Sequence, residues 1–188
     1  MLRTALDLEG PSSLRYPRPD RAAREVPPDQ VGSGLSARKV RTGTDACILA
    51  VGKLVEAAEQ AAAELEGRGI SCTVWDARVV KPFDPAMIAD AARHPLVVTV
   101  EDGIRIGGAG SFFADAIAAL DEGRESPPVL ILGTPPEFLS QGDAATILAT
   151  LGLDGPGVAA AVEKAVPGPS GPLSGKSTAR REATDLQA

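Results

Sequence analysis

Residues 46–51, ACILAV, form an uninterrupted apolar run between Asp45 and Gly52. A strand with one wet face alternates apolar and polar residues, so a run without alternation needs cover on both faces. Three further strand-like runs follow: 71–75 (SCTVW), 96–101 (LVVTVE) and 128–133 (PVLILG). Helical patterns separate them, and strands spaced by helices pair in parallel through crossover connections. The expectation is an α/β fold: a three-layer α/β/α sandwich around a mostly parallel sheet of four to five strands.

The helical patterns are legible individually. After the first run, Leu54, Ala58, Ala61, Ala62 and Leu65 fall on one face at helical spacing, with Gly67 or Gly69 placed to end the helix. Asp84 precedes Pro85, an N-cap followed by proline at the first helical position. A helix FFADAIAAL follows the third run, and two short ones, GDAATILATLG and GPGVAAAVEKAV, close the regular part. Aromatic residues are only 3% of the chain against 44% hydrophobic, so Ala, Val, Leu and Ile must build the core.

Three regions differ in composition. Residues 1–37 combine a short helix-like piece, a strand-like stretch and a Pro/Gly-rich connector, 38–167 are regular, and 168–188 are expected to be a disordered tail. With 188 residues the chain suits one domain. A net charge of -6 argues against a nucleic-acid surface, and no apolar run approaches the roughly 20 residues that span a bilayer. Asp7 and Glu9 stand where a signal peptide would be apolar, so a cytoplasmic location without membrane contact is expected. Cys47 and Cys72 each sit in an apolar run and read as buried, reduced thiols, and one histidine with two distant cysteines gives no metal-ligand spacing.

Several residues invite chemical readings. IGGAGS (106–111) stands between a strand and a helix, where a phosphate cradle would sit. Gly107, Gly108 and Gly110 lack the G-x-G-x-x-G order, so close helix–strand packing is the better reading. GPLSGKST (171–178) falls one residue short of a nucleotide P-loop and contains Pro172, so it reads as tail. Glu101 and Asp102 lie at a strand's carboxyl end, but neighbours on an extended segment point to opposite faces, which favours capping or turn roles over catalysis. His94, without a neighbouring nucleophile, reads as structural, and Asp76, Arg78 and Lys81 as an ion-pair network at a strand end.

The stretch PSSLRYPRP (11–19) is different. Pro17 fixes its own φ and biases Tyr16 toward an extended conformation, so Arg15 and Arg18 are held in defined directions. A guanidinium on a rigid element suits bidentate binding of a phosphate or carboxylate; the alternative is an arginine that solvates a turn.

Five segments in one order carry a resemblance: GPSSLRYPR (10–18), GTDACILAVGKLVEAA (43–58), DARVVKPFD (76–84), VVTVEDGIRIGGAGS (97–111) and LGTPPEFLSQG (132–142). Together they resemble the C-terminal third of the 1-deoxy-D-xylulose-5-phosphate synthases, within the transketolase-type thiamine enzymes, over residues 1 to about 166. The resemblance implies an enzyme of isoprenoid precursor synthesis that joins pyruvate to glyceraldehyde 3-phosphate with loss of CO2, using thiamine diphosphate and Mg2+. It implies that Arg18 grips the acceptor's phosphate and that residues 1–37 are the end of the preceding pyrimidine-binding domain plus a linker, with residues 1 to about 18 its last helix and strand. Pro19 replaces the family's usual glycine, so the backbone beyond Arg18 must turn differently.

The family's diphosphate and Mg2+ motif is absent from this sequence. No cofactor is therefore expected to bind this chain alone, and its partners would be a second copy, or an intact or complementary synthase subunit. Three alternatives remain: a non-catalytic dimerisation module, a small-ligand-binding domain using the GGAGS loop, or the terminal domain of a 2-oxo-acid dehydrogenase β subunit.

Overall fold

A computed structural model describes residues 5–13, 34–120 and 125–167. Arg15, Arg18, most of the connector and the 168–188 segment lie outside the described residues.

Five strands form one sheet: β1 (Arg38–Arg41), β2 (Ala46–Ala50), β3 (Cys72–Asp76), β4 (Val97–Ile104) and β5 (Val129–Thr134), in the spatial order β1-β3-β2-β4-β5. β2 pairs in parallel with β3 and β4, and β4 with β5; β1 alone is antiparallel, against β3. The uninterrupted run is the centre: all five β2 residues are buried, as double-sided cover requires.

Each face of the sheet carries helices. On one side α1 (Leu54–Glu66) and α5 (Gly155–Ala165) pack over Ile48, Val74, Val98 and Val100. On the other, α2 (Pro85–Ala91) and α3 (Ala109–Ala118) cover Cys47, Leu49, Trp75 and Val97. The three-layer expectation is met. α1 buries Leu54, Ala58, Ala61, Ala62 and Leu65, the five residues its periodicity marks. Small side chains let α5 approach closely, and a Cβ at Gly155 would meet Gln60 Oε1 at 2.7 Å. Arg68, just past α1, clamps the pair by bonding Glu163 of α5 at 2.6 Å and pairing with Glu64.

The helix starts follow their caps. Asp84, Asp143 and Asp154 accept from Ala86, Thr146 and Gly157 backbone N–H groups, opening α2, α4 (Ala144–Thr150) and α5. The stretch Ala144–Ala165 is long and apolar enough by composition to cross a bilayer. Leu151–Asp154 divide it into α4 and α5, and α5 packs along α1 as a core helix.

β1 was not among the strand-like runs. Its sequence RKVR has one apolar residue, and its place is fixed by tertiary partners: Lys39 Nζ pairs with Asp90 at 2.8 Å and lies 5.0 Å from the Trp75 ring, while Val40 packs on the α1 side.

Candidate functional site

From β2 the chain goes outward to β3, and from β4 it goes the other way to β5. In open α/β sheets the crevice outside the carboxyl strand ends at such a reversal is where ligands bind. Three pieces meet there: the Gly52–Lys53 turn after β2, Glu101 and Asp102 in β4, and the glycine loop opening α3.

Lys53, Glu101 and Asp102 in this crevice each have a protein partner already. The Glu101 carboxylate, 6% exposed, accepts from the backbone N–H groups of Ala109 at 3.1 Å and Gly110 at 2.7 Å. Asp102 points the other way and pairs with Lys53 Nζ at 2.9 Å near the surface. The two carboxylates therefore act separately, one as an internal helix cap and one as a surface tie. A groove of about 290 Å³ opens beside Lys53, lined also by Glu56, Gln60 and Leu148.

The glycine loop is built to admit a carboxylate. A Cβ at Gly108 would run into the Ile104 carbonyl and lie 2.6 Å from Glu101 Oε1; one at Gly110 would overlap Thr99 Oγ1 and lie 2.7 Å from Ile131. Only glycine lets this helix end close over Glu101 and β4. The N–H groups that a phosphate would use are occupied by Glu101, so packing, not phosphate binding, explains the loop. Thr99, 1% exposed, leaves its hydroxyl without a hydrogen-bond partner among the described residues, facing Gly110.

The same test bears on thiamine diphosphate and Mg2+. Among the described residues no group of three or more His, Cys, Asp or Glu could hold a metal ion. The diphosphate-like cradle is filled by Glu101. These residues do not fit the cofactor, and no chemical step is assigned to them through it.

The other sequence candidates fall into structural roles. Asp76 pairs with Arg38 Nη2 at 3.7 Å and accepts from the Arg78 backbone N–H at 3.1 Å. Burial pushes its carboxyl up, and these contacts oppose that without cancelling it. Arg78, at φ 53°, reaches the Ser36 carbonyl at 2.6 Å and ties the incoming chain to the strand end. Lys81 is exposed, outside that pairing. His94 holds three segments together: Nδ1 lies 2.9 Å from the Asp90 carbonyl, and Nε2 lies 2.9 Å from Thr73 Oγ1 and 3.2 Å from the Gly43 carbonyl. Cys47 and Cys72 are free and buried. Cys47 stands opposite Thr73 and Cys72 opposite Ala46, one step out of register, so the thiols face opposite sides of the sheet.

Sequence reasoning missed Lys53. Nothing local marks it, because its partner Asp102 is brought alongside by the parallel β2–β4 pairing. Arg18, the candidate anion ligand, lies outside the described residues.

Comparison with known proteins agrees with the fold. The model of the transketolase C-terminal domain family matches residues 35–158. The 1-deoxy-D-xylulose-5-phosphate synthase 1 of Geobacter sulfurreducens is 40% identical over 171 residues, covering 87% of this chain and 26% of that protein. The 1-deoxy-D-xylulose-5-phosphate synthase of Magnetococcus marinus is 37% identical over 172 residues with the same coverage. The chain thus spans about a quarter of the length of these curated relatives. A solved split-gene transketolase, described as an inactive beta4 tetramer, superposes with a TM-score of 0.66 at 30% identity, covering 74% of this chain and 45% of that one. On sequence and architecture together, the chain belongs to the transketolase C-terminal domain family.

Proposed function

We propose that this chain is the C-terminal portion of a thiamine-diphosphate-dependent 1-deoxy-D-xylulose-5-phosphate synthase, and that it turns over substrate only with the domains that bind the cofactor. The observation that carries the reading is its roughly 40% identity to such synthases across 171 residues, 87% of the chain. The cofactor, when bound by those domains, supplies the carbanion chemistry. This chain contributes the α/β scaffold and, through Arg18, a grip on the phosphate of glyceraldehyde 3-phosphate. Binding a non-reacting phosphate positions the aldehyde for attack.

Reconstitution with a complementary chain carrying the cofactor-binding domains of a related synthase tests this. Arg18→Ala should raise the acceptor KM by roughly 10- to 100-fold, the worth of a charge-assisted hydrogen-bond pair. Arg18→Lys should recover part of it. An unchanged KM would remove Arg18 from the site. Full turnover by the unaccompanied chain would overturn the dependence on other domains.

A second reading is favoured by the split-gene transketolase neighbour, whose described form is a tetramer of one chain type. In this reading the domain is a non-catalytic association module, pairing with itself or with a synthase subunit.

A further inference from the structure

The two edges of the sheet are treated differently by the sequence. β1 carries Arg38, Lys39 and Arg41 and an irregular register against β3, features that discourage pairing with another chain. β5 reads VLILGT: no charge, no proline, half-buried along its whole length, and last in the sheet among the described residues. Its ladder with β4 uses the even-numbered residues, since the Pro128 carbonyl accepts from Val97 N–H at 3.0 Å and the Thr134 carbonyl from Arg105 N–H at 2.9 Å. Strand geometry then points the N–H and C=O groups of Val129, Ile131 and Gly133 outward, along an edge with no partner strand among the described residues.

An apolar corner lies at the carboxyl end of this edge. Ile104 (52% exposed) and Ile106 (65%) leave β4 beside Thr134, and Phe138 (106%) and Leu139 (41%) follow β5. Phe138, Leu139, Ile147 and Leu151 line a groove of about 330 Å³. The four exposed side chains present on the order of 500 Å² at ordinary side-chain areas, as large as the largest apolar patches of monomers, which are often functional.

We propose that the outer edge of β5 and this corner form a two-fold pairing surface for a second copy of the chain, an inference that rests on the association-module reading. The strand is complementary to itself. Antiparallel pairing about Ile131 sets Val129 opposite Gly133 and joins two five-stranded sheets into one, satisfying the outward backbone groups of both copies. The same pairing carries Phe138 of one copy past Pro127 and Pro128 of the other. Two corners bring about 1,000 Å² before the strand edges are counted, against roughly 1,200–2,000 Å² for stable interfaces. The chain's own remaining segments suit this edge poorly. Residues 14–33 hold four prolines and seven charged residues, and 168–188 offer only Leu173 and Leu186 as large apolar side chains.

Hydrogen exchange and sedimentation of the full chain, at two concentrations roughly a hundredfold apart, test the proposal. The amides of Val129, Ile131 and Gly133 should gain protection as the chain becomes dimeric, while those of Leu130 and Leu132 stay protected throughout. Phe138→Glu, at a fully exposed position, should weaken the dimer at least roughly tenfold with unchanged circular dichroism. Ile131→Pro should abolish it, and the glutamate variant decides the matter if the proline variant fails to fold. A dimer whose three outward amides exchange as fast as in the dilute sample would overturn the surface while leaving self-association in place. A strictly monomeric chain that still restores activity to a complementary synthase chain would overturn the pairing and spare the synthase reading. Protection of those amides by the complementary chain alone would assign the edge to that partner and likewise overturn the second copy.

Discussion

The carboxylate of Glu101 sits on the backbone N–H of Gly110 at 2.7 Å, inside the protein and eight to nine residues upstream of the helix it caps. A cap from the preceding strand, rather than from the residue before the helix, fixes β4 and α3 as one rigid corner. Glu101→Ala should cost about 3 kcal/mol, lowering the melting temperature by roughly 8 °C, because two charge-assisted bonds vanish and leave buried donors unpaired. Glu101→Gln keeps an acceptor and should cost about half as much. Gly110→Ala, which must displace Thr99 and Ile131, should be destabilising by a similar amount. Thermal melts of the three variants check the corner; an unaltered Glu101→Ala melt would refute it.

Two aspartates respond to acid with opposite signs. Burial alone would raise the Asp90 carboxyl, but hydrogen bonds from Lys39 and from Trp75 Nε1 at 2.9 Å hold it below the usual 3.8. It therefore stabilises the fold above that value, and the contribution fades as pH falls below it. Asp76 is raised, chiefly by burial, so the folded state takes up its proton first and gains stability as pH drops toward 3.8. Urea unfolding across the acid range should show Asp90→Asn flattening the low end of the curve and Asp76→Asn the portion above 3.8. Identical changes in both variants would contradict the assignment.

The thiols should be silent in the native state. Burial pushes Cys72 up to about 11, reinforced by Asp45 and opposed by Arg41. Cys47 is raised further still, again by burial first. Since the thiolate is the reactive species, neither should label with iodoacetamide at pH 8 until denaturant is added. Their placement on opposite faces forbids a bridge, so oxidising conditions should leave the native monomer's mass unchanged. Rapid native labelling of either would show that the strand faces open.

Phe113 is the largest fully buried side chain, on the α3 face that covers Cys47 and Leu49. Trp75, Met87 and Ile88 share its cluster and the Phe112 ring lies 6.4 Å away, so its loss would leave a cavity among large side chains already in contact. Phe113→Ala should cost about 3–5 kcal/mol and Phe113→Leu less than half of that, as read by urea denaturation. A loss under 1 kcal/mol for the alanine variant would mean the face repacks freely, at odds with interior density.

Residues whose neighbours in sequence are also their partners in space were legible in the sequence. The α1 face, the Asp84–Pro85 start and the four apolar runs follow from local periodicity and caps, and the glycine loop declared itself as packing through its spacing. Glu101 and Asp102 were separable because alternation alone sends them to opposite faces. β1 was not legible: Lys39 becomes a strand residue only because Trp75 and Asp90 await it. Lys53 joined the crevice by the same long-range pairing, which no window of sequence contains.

The order of strands also has a temporal side. β2 lies between β3 and β4, and Cys47 must pair with both Thr73 and Val97. On a ribosome this uninterrupted apolar run therefore emerges well before its second neighbour is made. During that interval one edge of the central strand has no partner, and the sheet can close only after the crossover through α2 is complete.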